Sequence, residues 1–377
     1  MKVVPPIVAA VVVGITLGIT YPLFTALLTA RGLSGTAVGV SGAMTPLGMI
    51  ATAPFVPALA RAFGVRRVTM AALLGMSAVL AALSADFLWT AGLRALLGAG
   101  AVTVFVLSET WISQVVAPSL RARTLTVYTA LLSVGFAVGP LLLTAGTTVL
   151  FTTAVLAPLI AFAVLAADKH PLPPTTSGRL PMATLLRGLS LLLVPVLAVA
   201  VFDTVTLEFL PAYGTSTGLS QSASALLLTG LLVGQVVLLY PLGWLADHVD
   251  TRLALLISLS GGALGALLLP FLVTAGPLGL LAVGGWGGIA FAGYPLALTL
   301  LGDDHAGHNL VLANSAFAVV WGLGGVLGPP YAGTALDLLG PHGLPAALAT
   351  LFAAAVAVLL FARTRKPTAA RELVTVT

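Results

Sequence analysis

Long apolar runs separated by short polar turns fill almost the whole chain. Six runs occupy residues 5–29, 37–60, 68–85, 88–115, 124–146 and 148–167, and six more occupy residues 188–209, 222–245, 253–274, 277–301, 309–335 and 344–362. The length of each run is close to that of a helix that crosses a bilayer, which is about 20 residues. The pattern therefore predicts twelve transmembrane helices.

A polar stretch divides these runs into two sets of six. It contains several prolines and charged residues, and is too polar to lie in hydrocarbon. We expect a first six-helix half over residues 1–167, a cytoplasmic linker over 168–187, a second six-helix half over 188–362 and a cytoplasmic tail over 363–377.

Segments at matching places in the two halves look alike. PALARAFGVRR after the second run resembles GWLADHVDTRL after the eighth, and SVGFAVGP in the fifth run resembles GLGGVLGP in the eleventh. Weak repeats of this kind are typical of duplicated transporters that bind substrate between their halves. The sequence predicts an all-α membrane protein of two pseudo-symmetric six-helix halves.

The basic residues predict the orientation of the helices. Of the 16 Lys and Arg residues, only Arg31 falls in a turn on the side opposite the N-terminus, and Arg94 falls inside a run. Positive residues concentrate on the cytoplasmic side of membrane proteins. We therefore expect a multi-pass protein of the inner (plasma) membrane, with both termini in the cytoplasm.

Composition excludes several classes of protein. Hydrophobic residues make up 59% of the chain and charged residues only 7%, against roughly 25% charged residues in a soluble domain. The net charge of +5 is spread over short turns rather than gathered on one solvated face, so we expect no nucleic-acid partner. The partners we expect are the lipid bilayer, a small-molecule substrate and protons, with the chain acting as a monomer.

Motifs for catalysis and for metal binding are missing from the sequence. There is no HExxH, no GxSxG and no phosphate-binding glycine loop followed by Lys. The chain has no cysteine, and His305 and His308 in a turn have no evident further ligand. We expect no enzyme activity, no cofactor and no metal.

Three short motifs resemble those of the major facilitator superfamily. GWLADHVDTR contains Asp247 as the carboxylate of the cytoplasmic-loop motif and Arg252 as its trailing base. RALLGAG begins with Arg94, which is similar to the intramembrane arginine of the fourth-helix motif. GFAVGP, residues 135–140, resembles the fifth-helix motif that is commonest in proton-coupled exporters. The resemblance covers essentially the whole chain and implies the major facilitator fold and alternating access.

Within the superfamily the chain is most similar to the YcaD-like branch. The similarity lies in SETW (residues 108–111), GQVVLLYPLGWLAD (residues 234–247) and YPLALTLLGDD (residues 294–304). In the first loop Arg61 stands where the superfamily has its carboxylate. This departure changes the expected gating contact in the first half.

Four charged residues inside the runs are candidates for proton coupling. Asp203, near the middle of the seventh run, ranks first, because an intramembrane carboxylate is costly unless it is protonated or paired. Glu109 follows Arg94 by fifteen residues on nearly the same helix face. Glu208 is expected near the outer surface, about 140° around the helix from Asp203. The alternatives are a neutral structural acid at Asp203 and an Arg94 that extends outward to the interface.

Aromatic residues and glycines supply the other candidates within the membrane. We expect Tyr21, Trp111, Trp286 and Tyr294 to contact substrate, although aromatic residues are also enriched at membrane interfaces. The apolar wall favours a lipophilic or amphipathic substrate. The helix-packing candidates in the fifth run, which are as consistent with a purely structural role as with coupling, are Gly135, Gly139 and Pro140.

Charged turns predict two gating contacts between the halves. The loop after the second run offers Arg61, Arg66 and Arg67 opposite Asp303 and Asp304, which precede the eleventh run. Contacts of this kind are partly exposed and individually weak, as a latch that must open requires.

The second gating contact has the opposite polarity. The loop after the eighth run offers Asp247 and Asp250, followed by Arg252, opposite Arg121 and Arg123 at the start of the fifth run. In the superfamily that the chain resembles, such loops approach the other half on the cytoplasmic side and hold the inside closed.

The sequence favours a secondary transporter that works by alternating access. The preferred interpretation is proton-coupled export of a small lipophilic or amphipathic compound, and proton-coupled uptake of a small organic solute is its close rival. A membrane sensor or scaffold on a transporter fold is the third alternative, but such a protein has little need of intramembrane charges.

Overall fold

The computed structural model describes residues 3–85, 90–168, 193–303 and 308–364, and every regular element in these ranges is helical. In the first half the helices are α1 Val4–Ala30, α2 Gly35–Phe63, α3 Val65–Ala85, α4 Thr90–Val115, α5 Pro118–Leu141 and α6 Thr147–Ala167. Helix α2 consists of Gly35–Thr52 and Val56–Phe63 joined by the 3-10 turn Ala53–Phe55.

The second half repeats this arrangement. Its helices are α7 Leu193–Ser216, α8 Gln221–His248, α9 Thr251–Leu272, α10 Gly276–Phe291 with its continuation Gly293–Asp303, α11 His308–Leu339 and α12 Gly343–Thr364.

The described residues confirm twelve spans. Eleven helical stretches are long and apolar enough to cross a membrane, and the last of them, Val319–Phe361, contains two helices. Helices α11 and α12 are separated there by the 3-10 turn Gly340–His342, which Gly340 enters with a φ of 59°. A positive φ costs glycine little, so the chain reverses direction between the two spans.

Equivalent helices pack together in the two halves. In the first half α1 packs on α5, α2 on α4 and α3 on α6; in the second half α7 packs on α11, α8 on α10 and α9 on α12. Between the halves, the contact of α2 with α11 is matched by the contact of α8 with α5. Adding six to the helix numbers of the first half gives the packing within the second half, and exchanging the halves interconverts the two contacts between them, which confirms the predicted pseudo-symmetry.

Glycines allow the closest of these contacts. The predicted packing residues Gly135 and Gly139 of α5 lie against Val11 and Gly18 of α1, where an added Cβ would meet backbone atoms. At the equivalent contact in the second half, Gly324 of α11 lies against the backbone of α7. Small residues let neighbouring helix backbones approach in this way within a membrane.

The exterior of the bundle is apolar. Leu278, Leu281, Phe271 and Phe361 are more than 70% exposed, and no aqueous surface would tolerate so many large apolar side chains. The most buried helices are α1 and α7, with 78% and 83% of their most apolar stretch inside the protein. We call the face at which α1 begins and α12 ends the near face, and the opposite face the far face.

Candidate functional site

Arg94 lies inside the bundle. It follows the described start of α4 by four residues, about 6 Å along the helix from the far face, and only 1% of its side chain is exposed. The guanidinium points between the two halves rather than outward to the interface. The alternative of an arginine that extends to the membrane surface is therefore wrong.

The partner of Arg94 is Glu208 of α7, in the other half. Both terminal guanidinium nitrogens bond to the carboxylate, with Nη2 2.9 Å from Oε2 and 3.1 Å from Oε1, and Nη1 3.1 Å from Oε1. No part of the Glu208 side chain is exposed. Glu208 lies at the depth of Arg94, toward the far face, and it is buried because the face of α7 that carries it packs against the first half.

Helices α1 and α2 complete the surroundings of this ion pair. The hydroxyl of Thr25 donates to Oε1 of Glu208 over 2.7 Å, and Nη1 of Arg94 approaches the Ser41 hydroxyl at 3.4 Å. The guanidinium carbon lies 5.2 Å from the centre of the Phe24 ring and 5.8 Å from that of Tyr21. Both distances allow cation–π attraction. We call these residues, Tyr21, Phe24, Thr25, Ser41, Arg94 and Glu208, the central cluster.

Close packing of α2 brings the central cluster together. Gly48 and Gly98 lie at the crossing of α2 and α4, where an added Cβ would overlap a backbone carbonyl oxygen of the other helix. Gly42 faces the ion pair itself, and a Cβ there would lie 3.0 Å from the carboxylate carbon of Glu208. The absence of a side chain at Gly42 leaves the space that the carboxylate occupies.

Asp203 lies on a different face of α7 from Glu208. Its side chain is half-buried, and the amide nitrogen of Gln235 on α8 donates to its Oδ1 over 3.3 Å. The phenol of Tyr21 is close enough to interact electrostatically with Arg94, Glu208 and Asp203. The structure therefore brings four sequence candidates, Tyr21, Arg94, Asp203 and Glu208, into one region.

Glu109 lies apart from this region, toward the near face. It is exposed, although it sits within α4, and its charge interacts with the phenols of Tyr128 in the first half and Tyr294 in the second. This reach to both halves places Glu109 at the interface between them. Glu109 and Arg94 do not meet, in agreement with their expected separation of about 22 Å along the helix.

Three aromatic side chains of the second half, Tyr294 among them, pack against one another. The ring centres of Tyr294 and Trp321 are 4.8 Å apart at 71°, and Phe291 lies 6.3 Å from Tyr294 and 6.1 Å from Trp321. All three are half-buried. We call Phe291, Tyr294 and Trp321 the aromatic cluster.

The two other predicted substrate contacts lie within the packing of single halves. Trp286 is 4% exposed, donates its indole N–H to the Gly262 carbonyl over 2.9 Å and packs edge-on against Phe202. Trp111 is 1% exposed and lies beneath the Arg66 guanidinium, 5.3 Å from the ring centre. Neither tryptophan is brought together with Tyr21 or Tyr294, and their role in substrate binding stays a prediction.

The structure places the predicted gating arginines at the near face. Arg66 of α3 forms a 2.7 Å ion pair with Asp168, which follows α6 of the same half. Arg61 and Arg67 are exposed, and Arg252 is half-buried. The other predicted gating groups fall outside the described residues; they are Asp304 and the side chains of Arg121, Arg123, Asp247 and Asp303. Both latches stay predictions.

A second polar contact joins the halves at the far face. The Asp337 carboxylate near the end of α11 accepts from the Gly35 and Thr36 backbone N–H groups at the start of α2, over 2.5 and 2.8 Å. It also accepts from the Thr36 hydroxyl over 2.6 Å, and this hydroxyl lies 3.2 Å from that of Thr334. Asp337 therefore caps a helix of the opposite half.

The equivalent contact between α8 and α5 is also polar. The side-chain amide of Gln221 donates to the Leu143 carbonyl over 2.8 Å, and the Thr229 hydroxyl donates to the Ala137 carbonyl over 3.1 Å. Together with the bonds of Asp337 and the central cluster, these bonds hold the two six-helix halves together on the far-face side of the interface.

Sequence reasoning missed several of these residues. Thr25 and Phe24 lie one helical turn from Tyr21, so helical spacing from that candidate would have found both. Trp321 lies in the eleventh run and carries no sequence signal that links it to Tyr294. Asp337 follows an apolar run and looks like an ordinary helix-end acid.

The arrangement links two six-helix halves through an ion pair that is excluded from solvent. Moving the halves apart at the far face would expose Arg94 and Glu208 and break their bonds, and protonating the carboxylate would weaken the same link. Twelve membrane-spanning helices in two pseudo-symmetric halves, with charge buried between them, define a two-half membrane transporter.

The chain belongs to the Major Facilitator Superfamily, whose sequence profile matches residues 7–220 and again residues 191–375. The protein is therefore a transporter and not an enzyme, and its two-half architecture is consistent with alternating access.

Known transporters align with this chain over most of its length. The "Uncharacterized MFS-type transporter YfkF" of Bacillus subtilis (strain 168) is 24% identical over 341 residues, which are 82% of each protein. Two crystal structures of the nucleoside transporter NupG superimpose with TM-scores of 0.78 and 0.77 at 13% and 11% identity, over 97% of this chain and 99% of that one. A D-xylose-proton symporter gives 0.71 at 16% identity, over 95% of this chain and 97% of that one. At these identities the structures show the fold alone.

Proposed function

We propose that the protein is a proton-coupled secondary transporter that exports a small lipophilic or amphipathic compound in exchange for protons. The near face is cytoplasmic and the far face is outside, as the distribution of Lys and Arg indicates. The observation that carries the proposal is the buried ion pair between Arg94 and Glu208, which joins the two halves.

Glu208 is the proton-linked acid in this proposal. When it is ionised, its charge neutralises Arg94 and holds the outside closed. Protonation removes the negative charge and leaves Arg94 without a counter-ion in a buried site, which is strongly unfavourable. The protonated protein therefore favours the arrangement in which the halves separate at the far face and water reaches the arginine.

Asp203 has a supporting role. Its hydrogen bond to Gln235 and its proximity to Tyr21 place a second carboxylate beside the central cluster. A proton released from Glu208 has an acceptor there, within the same region of the interface.

The direction of transport rests on the fifth-helix motif, residues 135–140, which resembles that of proton-coupled exporters. Direction is measurable in proteoliposomes with an imposed pH gradient and a clamped membrane potential. An antiporter concentrates its compound in the acidic compartment, whereas a symporter concentrates it in the alkaline compartment.

The test of coupling is substrate-evoked proton movement in proteoliposomes that contain a pH-sensitive dye. Lipophilic cations, neutral lipophiles and small organic acids are screened on the native protein. The flux measurement is then repeated with the active compounds on Glu208→Gln. We expect proton flux to fall by at least about tenfold in this variant, since the neutral amide cannot exchange a proton. Glu372→Gln, which makes the same change in the predicted cytoplasmic tail, serves as the control.

Two outcomes would contradict the proposal. Unchanged proton flux in Glu208→Gln, with loss in Asp203→Asn, would move the proton site to Asp203. No compound-evoked proton flux from native protein would favour uniport or the sensor alternative.

A further inference from the structure

We propose that Glu109 and the aromatic cluster form the substrate site, and that the substrate is an organic cation with an apolar body. The inference rests on the proposed transport function and narrows its substrate class. The site lies between the near face and the central cluster, with its acid on α4 of the first half and its aromatic wall on α10 and α11 of the second.

Glu109 differs from the other described acids within the spans. Glu208 is paired with Arg94, and Asp203 accepts a hydrogen bond from Gln235. No described side chain forms a hydrogen bond or an ion pair with Glu109, and its side chain is exposed. A carboxylate inside a membrane span usually has a partner, and a cationic ligand would supply one.

The aromatic cluster suits the same ligand. The edge-on arrangement of Tyr294 and Trp321, 71° apart, presents ring faces in two directions, with Phe291 adding a third ring at 85° to Trp321. Ring faces attract cations, and sets of aromatic rings recognise quaternary ammonium groups. By contrast Trp286, Phe202 and Phe352 are buried against one another and offer no such surface.

The position between the halves connects binding with transport. Tyr294 lies within electrostatic range of Glu109 across the interface, so a ligand that bridges the acid and the ring contacts both halves at once. Such a ligand would draw the two halves together at the near face. The site therefore selects a positive, apolar compound over an anion of the same shape, because the anion would meet an unpaired carboxylate.

Binding of two probes of matched shape tests this inference without requiring transport. Tetraphenylphosphonium and tetraphenylborate have nearly the same size and opposite charge. Affinities are measured by calorimetry on the purified full-length protein in detergent. We expect the phosphonium to bind at least about tenfold more tightly than the borate, and Glu109→Gln to weaken phosphonium binding about tenfold.

The aromatic wall is tested by Trp321→Leu, for which we expect about a fivefold loss of phosphonium affinity. The matched controls are Phe271→Leu, which removes a 71% exposed aromatic side chain from the exterior, and Glu372→Gln, which removes a carboxylate from the predicted cytoplasmic tail. Both controls should bind as the native protein does. Monodisperse elution of each variant in size-exclusion chromatography separates loss of binding from loss of folding, and Glu109→Asp, which keeps the charge, should retain most of the affinity.

Three results would overturn the inference: equal binding of the two probes, unchanged phosphonium binding in a folded Glu109→Gln, or no phosphonium binding by native protein. Since the assay involves no proton flux, phosphonium binding that depends on Glu109 in a protein without coupled flux would support this site and contradict the proposed function instead.

Discussion

The ion pair between Arg94 and Glu208 is costly to leave incomplete. Both side chains are almost wholly buried, and the carboxylate also accepts from Thr25. Desolvating two charges offsets much of their attraction, so an intact buried pair contributes little net stability. Removing one partner is different, because the remaining charge stays in a site without water, at a cost of about 3–5 kcal/mol.

A double substitution separates this structural effect from transport. Glu208→Gln and Arg94→Met should each lower Tm by several degrees, since each leaves a buried group unpaired. The double variant Arg94→Met/Glu208→Leu replaces the pair with apolar groups and should recover most of the lost Tm, but no proton-coupled transport. Thermal unfolding in detergent and the proteoliposome assay measure the two properties.

An unchanged Tm in either single variant, Glu208→Gln or Arg94→Met, would show that the ion pair is open to water or bridged by another group. Recovery of coupled transport in the double variant would remove Glu208 from the proton pathway.

The identity of the charged candidates could be predicted from the sequence, but their pairing could not. Charges within apolar runs are rare enough to mark Arg94, Asp203 and Glu208 as functional. Helical spacing separates Asp203 and Glu208 by about 140° but does not say which of them faces the first half. That choice depends on the rotation of α7 in the bundle, which packing between distant residues decides.

At the scale of elements, the start of α2 is stabilised by a residue of the other half. A helix N-terminus has unpaired N–H groups and a partial positive charge, and Asp337 satisfies both. The same carboxylate is unfavourably placed near the C-terminus of its own helix, α11. Closing the far face therefore gives Asp337 its favourable partner.

Weakening this cap should open the far face. Asp337→Asn loses the charge and one of the two acceptor oxygens, so the closed arrangement loses stability relative to the open one. Val38, one turn along α2 from Gly35, is 1% exposed and serves as a reporter when replaced by cysteine, because the native chain has no cysteine. We expect an impermeant maleimide to label Val38→Cys several times faster in the Asp337→Asn background.

The control for this experiment is Asp250→Asn, which alters the cap of α9 within one half. The Asp250 side chain accepts from the Leu253 backbone N–H over 2.9 Å and has no part in the far-face contact. Labelling that rises equally in both backgrounds would indicate general loosening, and labelling that rises in neither would show that Asp337 does not hold the face closed.

Helix positions could be predicted more fully than helix contacts. Each span carries its own signal, because about 20 apolar residues are needed wherever a helix crosses the bilayer. The continuity of α10 through Ala292 and the 3-10 turn within α2 are details of backbone geometry that hydropathy does not report. Contacts between α2 and α11 join residues about 300 positions apart, for which one sequence offers no pairing signal.

For the whole molecule, the repeated fold makes both interhalf contacts equivalent. Helix α2 meets α11 and α8 meets α5, so the far face is closed on two sides of the central cluster. Bistable interfaces between rigid bodies are a common basis of switching in proteins. The two halves are therefore expected to move as units about these contacts.

A disulfide between the halves should stop this movement. The hydroxyls of Thr36 on α2 and Thr334 on α11 are 3.2 Å apart, so cysteines at these positions need only a small shift to reach the bond length of about 2.0 Å. In Thr36→Cys/Thr334→Cys we expect oxidation to abolish transport and a reductant to restore it. The absence of native cysteine means that the engineered bond is the only disulfide the chain can form.

The matched control is a bond within one half. Gly214 of α7 lies against Ser224 of α8, and an added Cβ would be 3.0 Å from the serine Cβ. Because both helices belong to the second half, oxidised Gly214→Cys/Ser224→Cys should retain transport if the halves move as rigid bodies. Transport that survives oxidation of the Thr36–Thr334 pair would mean that the far face need not open there, and loss of transport in both proteins would mean that motion within a half is also required.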